Sequence, residues 1–180
     1  MTTPDFSQDY FALFGQPVAW EVDTVVLGER YRQLQQELHP DRFAHAGASE
    51  QRLAIQYSAF VNEAYATLRN RLSRALYLLQ LQGMDAETVS AQQVSGGFLI
   101  EQMELREKLE SLHDLVEPDT VLEHLITEIS ADIRDHQLEF AQAWEAGELP
   151  AAAGACVKMQ YLEKLLQEAE QVESDLMDKY

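Results

Sequence analysis

Asp23-Thr24-Val25-Val26-Leu27-Gly28-Glu29-Arg30-Tyr31-Arg32-Gln33-Leu34-Gln35-Gln36-Glu37-Leu38-His39-Pro40-Asp41-Arg42-Phe43 decides how this chain is read. Asp23 is a good helix N-cap, because its carboxylate can accept from the unpaired amides of the first turn. Val26, Leu27, Tyr31, Leu34 and Leu38 recur at helical spacing and form one stripe. Pro40 stops the helix, since the residue before a proline avoids the helical region. Residues 39–49 then read as a loop containing Gly47. Ser49-Glu50 opens a second helix to about Leu68, with Leu53, Tyr57, Phe60, Ala64 and Leu68 as its stripe. Two such helices joined by a short loop predict an antiparallel helical hairpin. Upstream, Tyr10 to Phe14 reads as a short helix ended by Gly15 and Pro17, able to lie across the hairpin.

Downstream the helical spacing continues. A helix over 72–81 ends at Gly83, Asp85 caps a short segment over 86–93, and Ser95-Gly96-Gly97 reads as the clearest break in the chain. Three longer helices follow, over 98–116, 120–146 and 151–177. The first carries Phe98, Leu105, Leu109, Leu112 and Val116 on one face. The second carries Leu122, Leu125, Ile129, Ile133, Phe140 and Trp144, and the third Val157, Tyr161, Leu165, Val172 and Leu176. Short connections favour antiparallel neighbours in a bundle. The expected fold is all-α: a hairpin domain with its following helix over 1–80, a linking segment over 81–97, and a three-helix bundle over 98–180.

Charge separates the two regions. Residues 1–80 hold 7 basic and 9 acidic side chains, and residues 81–180 hold 6 basic and 22 acidic. The net charge of −18 disfavours nucleic acid and anionic lipid, both of which demand a basic surface. No apolar stretch is long enough to span a bilayer. The single cysteine, Cys156, has no internal disulfide partner, which fits a reducing compartment and predicts a cytoplasmic protein. No cofactor or metal is expected, and a monomer is the expected state.

His39-Pro40-Asp41 carries more than a helix stop. Proline fixes the turn at the tip of the hairpin, and Asp41 presents an acceptor suited to an arginine fork on a partner. Residues 10–75 resemble a J-domain, whose signature is a His-Pro-Asp loop between antiparallel helices. The words Tyr10-Phe11-Ala12-Leu13-Phe14-Gly15, His39-Pro40-Asp41-Arg42-Phe43-Ala44 and Asn62-Glu63-Ala64-Tyr65-Ala66-Thr67-Leu68 narrow the resemblance to the HscB family. These are J-domain co-chaperones of bacterial iron–sulfur cluster assembly. Arg74-Ala75-Leu76-Tyr77-Leu78-Leu79 and Phe98-Leu99-Ile100-Glu101-Gln102-Met103-Glu104-Leu105-Arg106-Glu107 extend it beyond the J-domain to nearly the whole chain.

The resemblance implies two partners. His39, Pro40 and Asp41 would stimulate ATP hydrolysis by a specialised DnaK-type chaperone, HscA-like, with Arg30, Arg32 and Arg42 meeting its acidic surface. The second partner is the IscU-like scaffold on which clusters are assembled. An independent clue lies in the helix that begins near Phe98. At about 100° per residue, Leu99, Ile100 and Met103 project away from the core stripe, beside Glu104 and Glu107. An apolar patch ringed by carboxylates is either a protein-binding surface or a face packed on the preceding segments. The resemblance implies the former, with Leu99, Ile100, Met103, Glu104, Glu107 and Tyr161 as scaffold contacts, although the stripe position of Tyr161 also suits a core role.

Other readings also fit parts of the sequence. His113-Asp114 with His39, His45, His124 and His136 could build a metal-dependent phosphohydrolase, but no ligand spacing is persuasive. Cys156 could be a nucleophile, but it lies mid-helix with no histidine nearby in sequence. A J-protein serving a general folding chaperone is the third.

Overall fold

The Asp23 carboxylate caps the helix that follows it, accepting from the amides of Val25 and Val26 at 3.0 Å each. The computed structural model describes residues 5–114 and 118–177, the side chains of His113 and Asp114 excepted. Val116 of the expected stripe and the His113-Asp114 side-chain pair therefore lie outside the described residues. The described helices are α1 (Tyr10–Leu13), α2 (Thr24–Glu37), α3 (Ala48–Arg69), α4 (Arg71–Leu81), α5 (Ala86–Ser90), α6 (Gly96–Glu110), α7 (Pro118–Glu145) and α8 (Leu149–Met177). Two 3-10 helices, Pro40–Phe43 and Ser111–Asp114, complete them, and no strand occurs among the described residues. The protein is all-α. It divides into two units, Met1–Leu78 and Leu79–Tyr180, with the boundary inside α4.

In the first unit α2 and α3 form the hairpin, and α1 packs on α3. Leu27, Leu34 and Leu38 of the hairpin meet Val61, Ala64 and Leu68 as buried residues, with Phe11 and Phe14 supplied from the α1 region. Tyr31 stacks on Tyr65 across the hairpin at 3.9 Å between ring centroids. Two details differ from the expected stripes. Val26 is exposed, because Leu27 takes the inward position. On α3 the buried line runs through Ala54, Val61, Ala64 and Leu68: Ala64 and Leu68 are buried as expected, while Ala54 and Val61 take the inward positions in place of Leu53, Tyr57 and Phe60. Tyr57 and Phe60 instead join Phe6 and Tyr10 in a half-buried aromatic cluster with edge-on contacts at 5.5–5.6 Å.

The second unit is a bundle of α6, α7 and α8, with α5 packed on α8 through the buried Val89. Its core holds Phe98, Leu105, Leu109, Leu112, Leu122, Leu125, Ile129, Ile133, Leu162, Leu165 and Ala169. Burial of this much apolar surface is the dominant favourable contribution to such a fold. The expected break at Ser95-Gly96-Gly97 lies slightly earlier, over residues 91–95 between α5 and α6. Ser95 N-caps α6, its hydroxyl accepting from the Phe98 amide at 3.2 Å, and both glycines sit in the first turn. Gly83 and Gly147, at φ 84° and 73°, adopt left-handed backbone that glycine accommodates without a steric penalty, and each ends its helix.

Candidate functional site: an exposed loop and an apolar helix face

The tripeptide sits at the tip of the hairpin as the start of a 3-10 helix. His39 is extended, at φ −56° and ψ 133°, as a residue before proline should be. Its imidazole turns back as a cap, with Nδ1 accepting from the Asp41 amide at 3.3 Å. The Asp41 carboxylate lies 3.5 Å from the same nitrogen but is 90% exposed, so its acceptors stay open to a partner. The loop therefore has a fixed backbone and an uncommitted anion at its tip. Arg30 is half-buried, hydrogen-bonded to Gln33 and 4.0 Å from Glu37. Arg32 and Arg42 are exposed and hold no ion pair among the described residues. α2 and the loop thus present three cations, Arg30, Arg32 and Arg42, with the exposed Asp41 carboxylate at the tip.

Sequence reasoning missed a groove beside this loop. Gln35, Leu38, Pro40, Phe43, Ala54 and Ile55 line a cleft of about 480 Å³ between the end of α2 and α3. Ile55 is exposed and off the buried line of α3, which is the signal that could have found it. The cleft can receive an apolar side chain next to the tripeptide.

In the second unit α6 buries Phe98, Leu105 and Leu109 and leaves its other side open. Leu99 is 40% exposed, Ile100 58% and Met103 64%, and Glu104 and Glu107 are exposed beside them. From α8, Tyr161 is 49% exposed, so it is not a core residue; Leu162 takes the fully buried position. The Tyr161 ring meets the edge of Phe98 at 6.2 Å, which seats it against the start of α6. Phe98 also meets His136 at 5.7 Å. His136 is in turn held by Glu139, with 2.7 Å between His136 Nδ1 and Glu139 Oε2. Lys158 donates to both Glu139 oxygens at 2.9 and 3.0 Å. Burial raises the Glu139 carboxyl, but the Lys158 and His136 contacts outweigh that and hold it below its ordinary range. Arg106 donates to both oxygens of Glu168 at 3.2 Å and ties α6 to α8.

Neither alternative chemistry gains support. Among the described residues no group of three histidine, cysteine, aspartate or glutamate side chains is placed to hold a metal. Cys156 is fully buried, and burial pushes its thiol up to about 12, which opposes thiolate formation. No described helix is long and apolar enough to cross a membrane.

Comparison with known proteins agrees with the arrangement. Residues 95–170 match the family model described as the HSCB C-terminal oligomerisation domain. The Co-chaperone protein HscB homolog of Shewanella loihica is 40% identical over 171 residues, covering 93% of this chain and 99% of the relative. The structure of chaperone HscB from Vibrio cholerae superposes with a TM-score of 0.85 at 38% identity, covering 94% of this chain and 99% of that one. Human co-chaperone HscB gives a TM-score of 0.87 at 31% identity, covering 95% and 85%. The chain is thus similar along nearly its whole length, in sequence and in fold, to proteins of one kind, and it belongs to the HscB family of J-type co-chaperones.

Proposed function

We propose that the protein binds an IscU-like iron–sulfur scaffold through its second unit and stimulates the ATPase of an HscA-like DnaK-type chaperone through its first, promoting cluster assembly and transfer. The observation that carries the reading is the apolar group Leu99, Ile100, Met103 and Tyr161, exposed on a bundle whose core is complete without it. Such a patch, with Glu104 and Glu107 beside it, suits a protein partner with apolar and basic side chains. His39, Pro40 and Asp41, with Arg30, Arg32 and Arg42, serve the chaperone. The working parts follow residues 1–80 and 98–180, with 81–97 between them.

The protein performs no catalytic step in this scheme. The chaperone's own site hydrolyses ATP, and the co-chaperone favours the hydrolysis-competent state by binding it more tightly than the other. Holding scaffold and chaperone on one chain turns two weak encounters into a local one. It works as a cytoplasmic monomer, without nucleic acid or membrane.

Calorimetric titration with the scaffold tests the reading. Leu99→Ala with Met103→Ala should weaken binding at least about tenfold, the usual scale for truncating two anchors of an interface. Asp41→Asn should abolish ATPase stimulation in a steady-state assay and leave scaffold affinity intact. Wild-type affinity in the double variant refutes the scaffold role, and retained stimulation by Asp41→Asn refutes the loop role.

A further inference from the structure

The apolar face does not end at Tyr161. On its far side that ring lines a groove of about 270 Å³ together with Val157, Gln160 and Lys164 of α8 and Ser90 at the end of α5. Lys164 lies three residues after Tyr161, on the same side of the helix. It is exposed and holds no ion pair or hydrogen bond among the described residues. Arg106, Lys108 and Lys158 are committed to Glu168, Glu128 and Glu139, which among the described cations of this unit leaves Lys164 and Arg134 without an ion pair. An ammonium with no anion of its own, in a region with 22 acidic and 6 basic side chains, is an uncommon feature of this surface.

We infer that this α5–α8 groove continues the scaffold-docking face and that Lys164 receives a carboxylate of the scaffold there. The inference rests on the scaffold reading above. Charge complementarity names the occupant. Val157 and the Tyr161 ring offer apolar walls, Gln160 an amide, and Lys164 the only charge among the groove's lining residues. A segment with an apolar residue beside an aspartate or glutamate fits that set. The face is therefore two-signed: Glu104 and Glu107 on α6 call for basic groups, and Lys164 on α8 calls for an acidic one. Opposite signs at the two edges fix the register of the partner, because a reversed orientation sets like charges against each other.

Titration of the full-length protein with the scaffold, at low and high salt, tests this. Lys164→Gln should weaken binding about threefold and Lys164→Glu about tenfold, the scale of a rim ion pair and of its reversal, with both losses shrinking at high salt. Arg134→Glu makes the same change in net charge on α7, at an exposed side chain with no ion pair among the described residues, and should leave affinity within about twofold of wild type, since charges away from a contact act weakly. Equal losses in Lys164→Glu and Arg134→Glu would overturn the inference in favour of the overall field. Wild-type affinity in both Lys164 variants, with Leu99→Ala and Met103→Ala still weakened, overturns the inference and leaves the scaffold reading standing. If those apolar variants also bind as wild type, the scaffold reading falls first.

Discussion

Arg74 is 2% exposed, and its guanidinium does three things at once. Nη1 donates to the Leu68 carbonyl near the end of α3, the group lies over the Trp20 ring at 5.1 Å, and Nε has no partner among the described residues. Burial, with Arg71 close by, lowers its pKa, yet arginine stays charged because its ordinary value is so high. A buried cation over an indole face gains from the ring quadrupole and from its carbonyl partner, which offset part of the desolvation cost. Arg74→Ala would leave a cavity and an unpaired carbonyl. It should cost about 2–4 kcal/mol in urea unfolding. Arg74→Lys should recover less than half, because an ammonium cannot stack flat on Trp20 while reaching Leu68. A loss below about 0.5 kcal/mol for Arg74→Ala would show that the contact carries little.

At the scale of the element, α6 matters most, because one side builds the core and the other presents the proposed docking face. It begins on a serine cap and two glycines. Ser95→Ala removes the acceptor of the Phe98 amide and should cost about 1 kcal/mol. Gly96 has open space where a Cβ would stand and no left-handed backbone. Gly96→Ala should therefore stabilise the second unit by about 0.5 kcal/mol, by reducing the freedom of the unfolded chain. Denaturant midpoints of the two variants should move in opposite directions, and a destabilised Gly96→Ala would contradict the open geometry. α3 gives the complementary lesson: Ala54 and Val61 are buried where Leu53, Tyr57 and Phe60 were expected, and the aromatic Tyr57 and Phe60 pack sideways.

For the whole molecule, charge is the dominant asymmetry. Residues 81–180 carry 22 acidic against 6 basic side chains, and self-repulsion on that scale works against a compact state. Local burial adds to it, raising the carboxyls of Asp132 and Glu163 above their ordinary range. Raising salt from about 0.01 M to about 1 M shortens the screening length from about 30 Å to about 3 Å. The midpoint of thermal unfolding, followed by far-ultraviolet circular dichroism, should therefore rise with sodium chloride. A midpoint that falls would mean that paired charges such as Arg106–Glu168 and Lys158–Glu139 outweigh the repulsion.

The sequence by itself determined the helices, the hairpin, the caps at Asp23 and Asp85, and the position of His39-Pro40-Asp41 at a helix junction. These are local properties: helical period, proline geometry and capping act within a few residues. The outward side of α6 was legible for the same reason, since one full core stripe leaves Leu99, Ile100 and Met103 with nowhere inward to go. Tertiary structure alone decided which of two adjacent residues is buried. Leu162 rather than Tyr161 enters the core, and Ala54 and Val61 rather than Tyr57 and Phe60 face α2. Periodicity fixes a stripe only to within about one residue, some 100° of rotation. The rest depends on how closely the neighbouring helix approaches and what it presents. The cleft beside Pro40 and the groove beside Lys164 arise in the same way, from segments distant in sequence that meet only in the folded units.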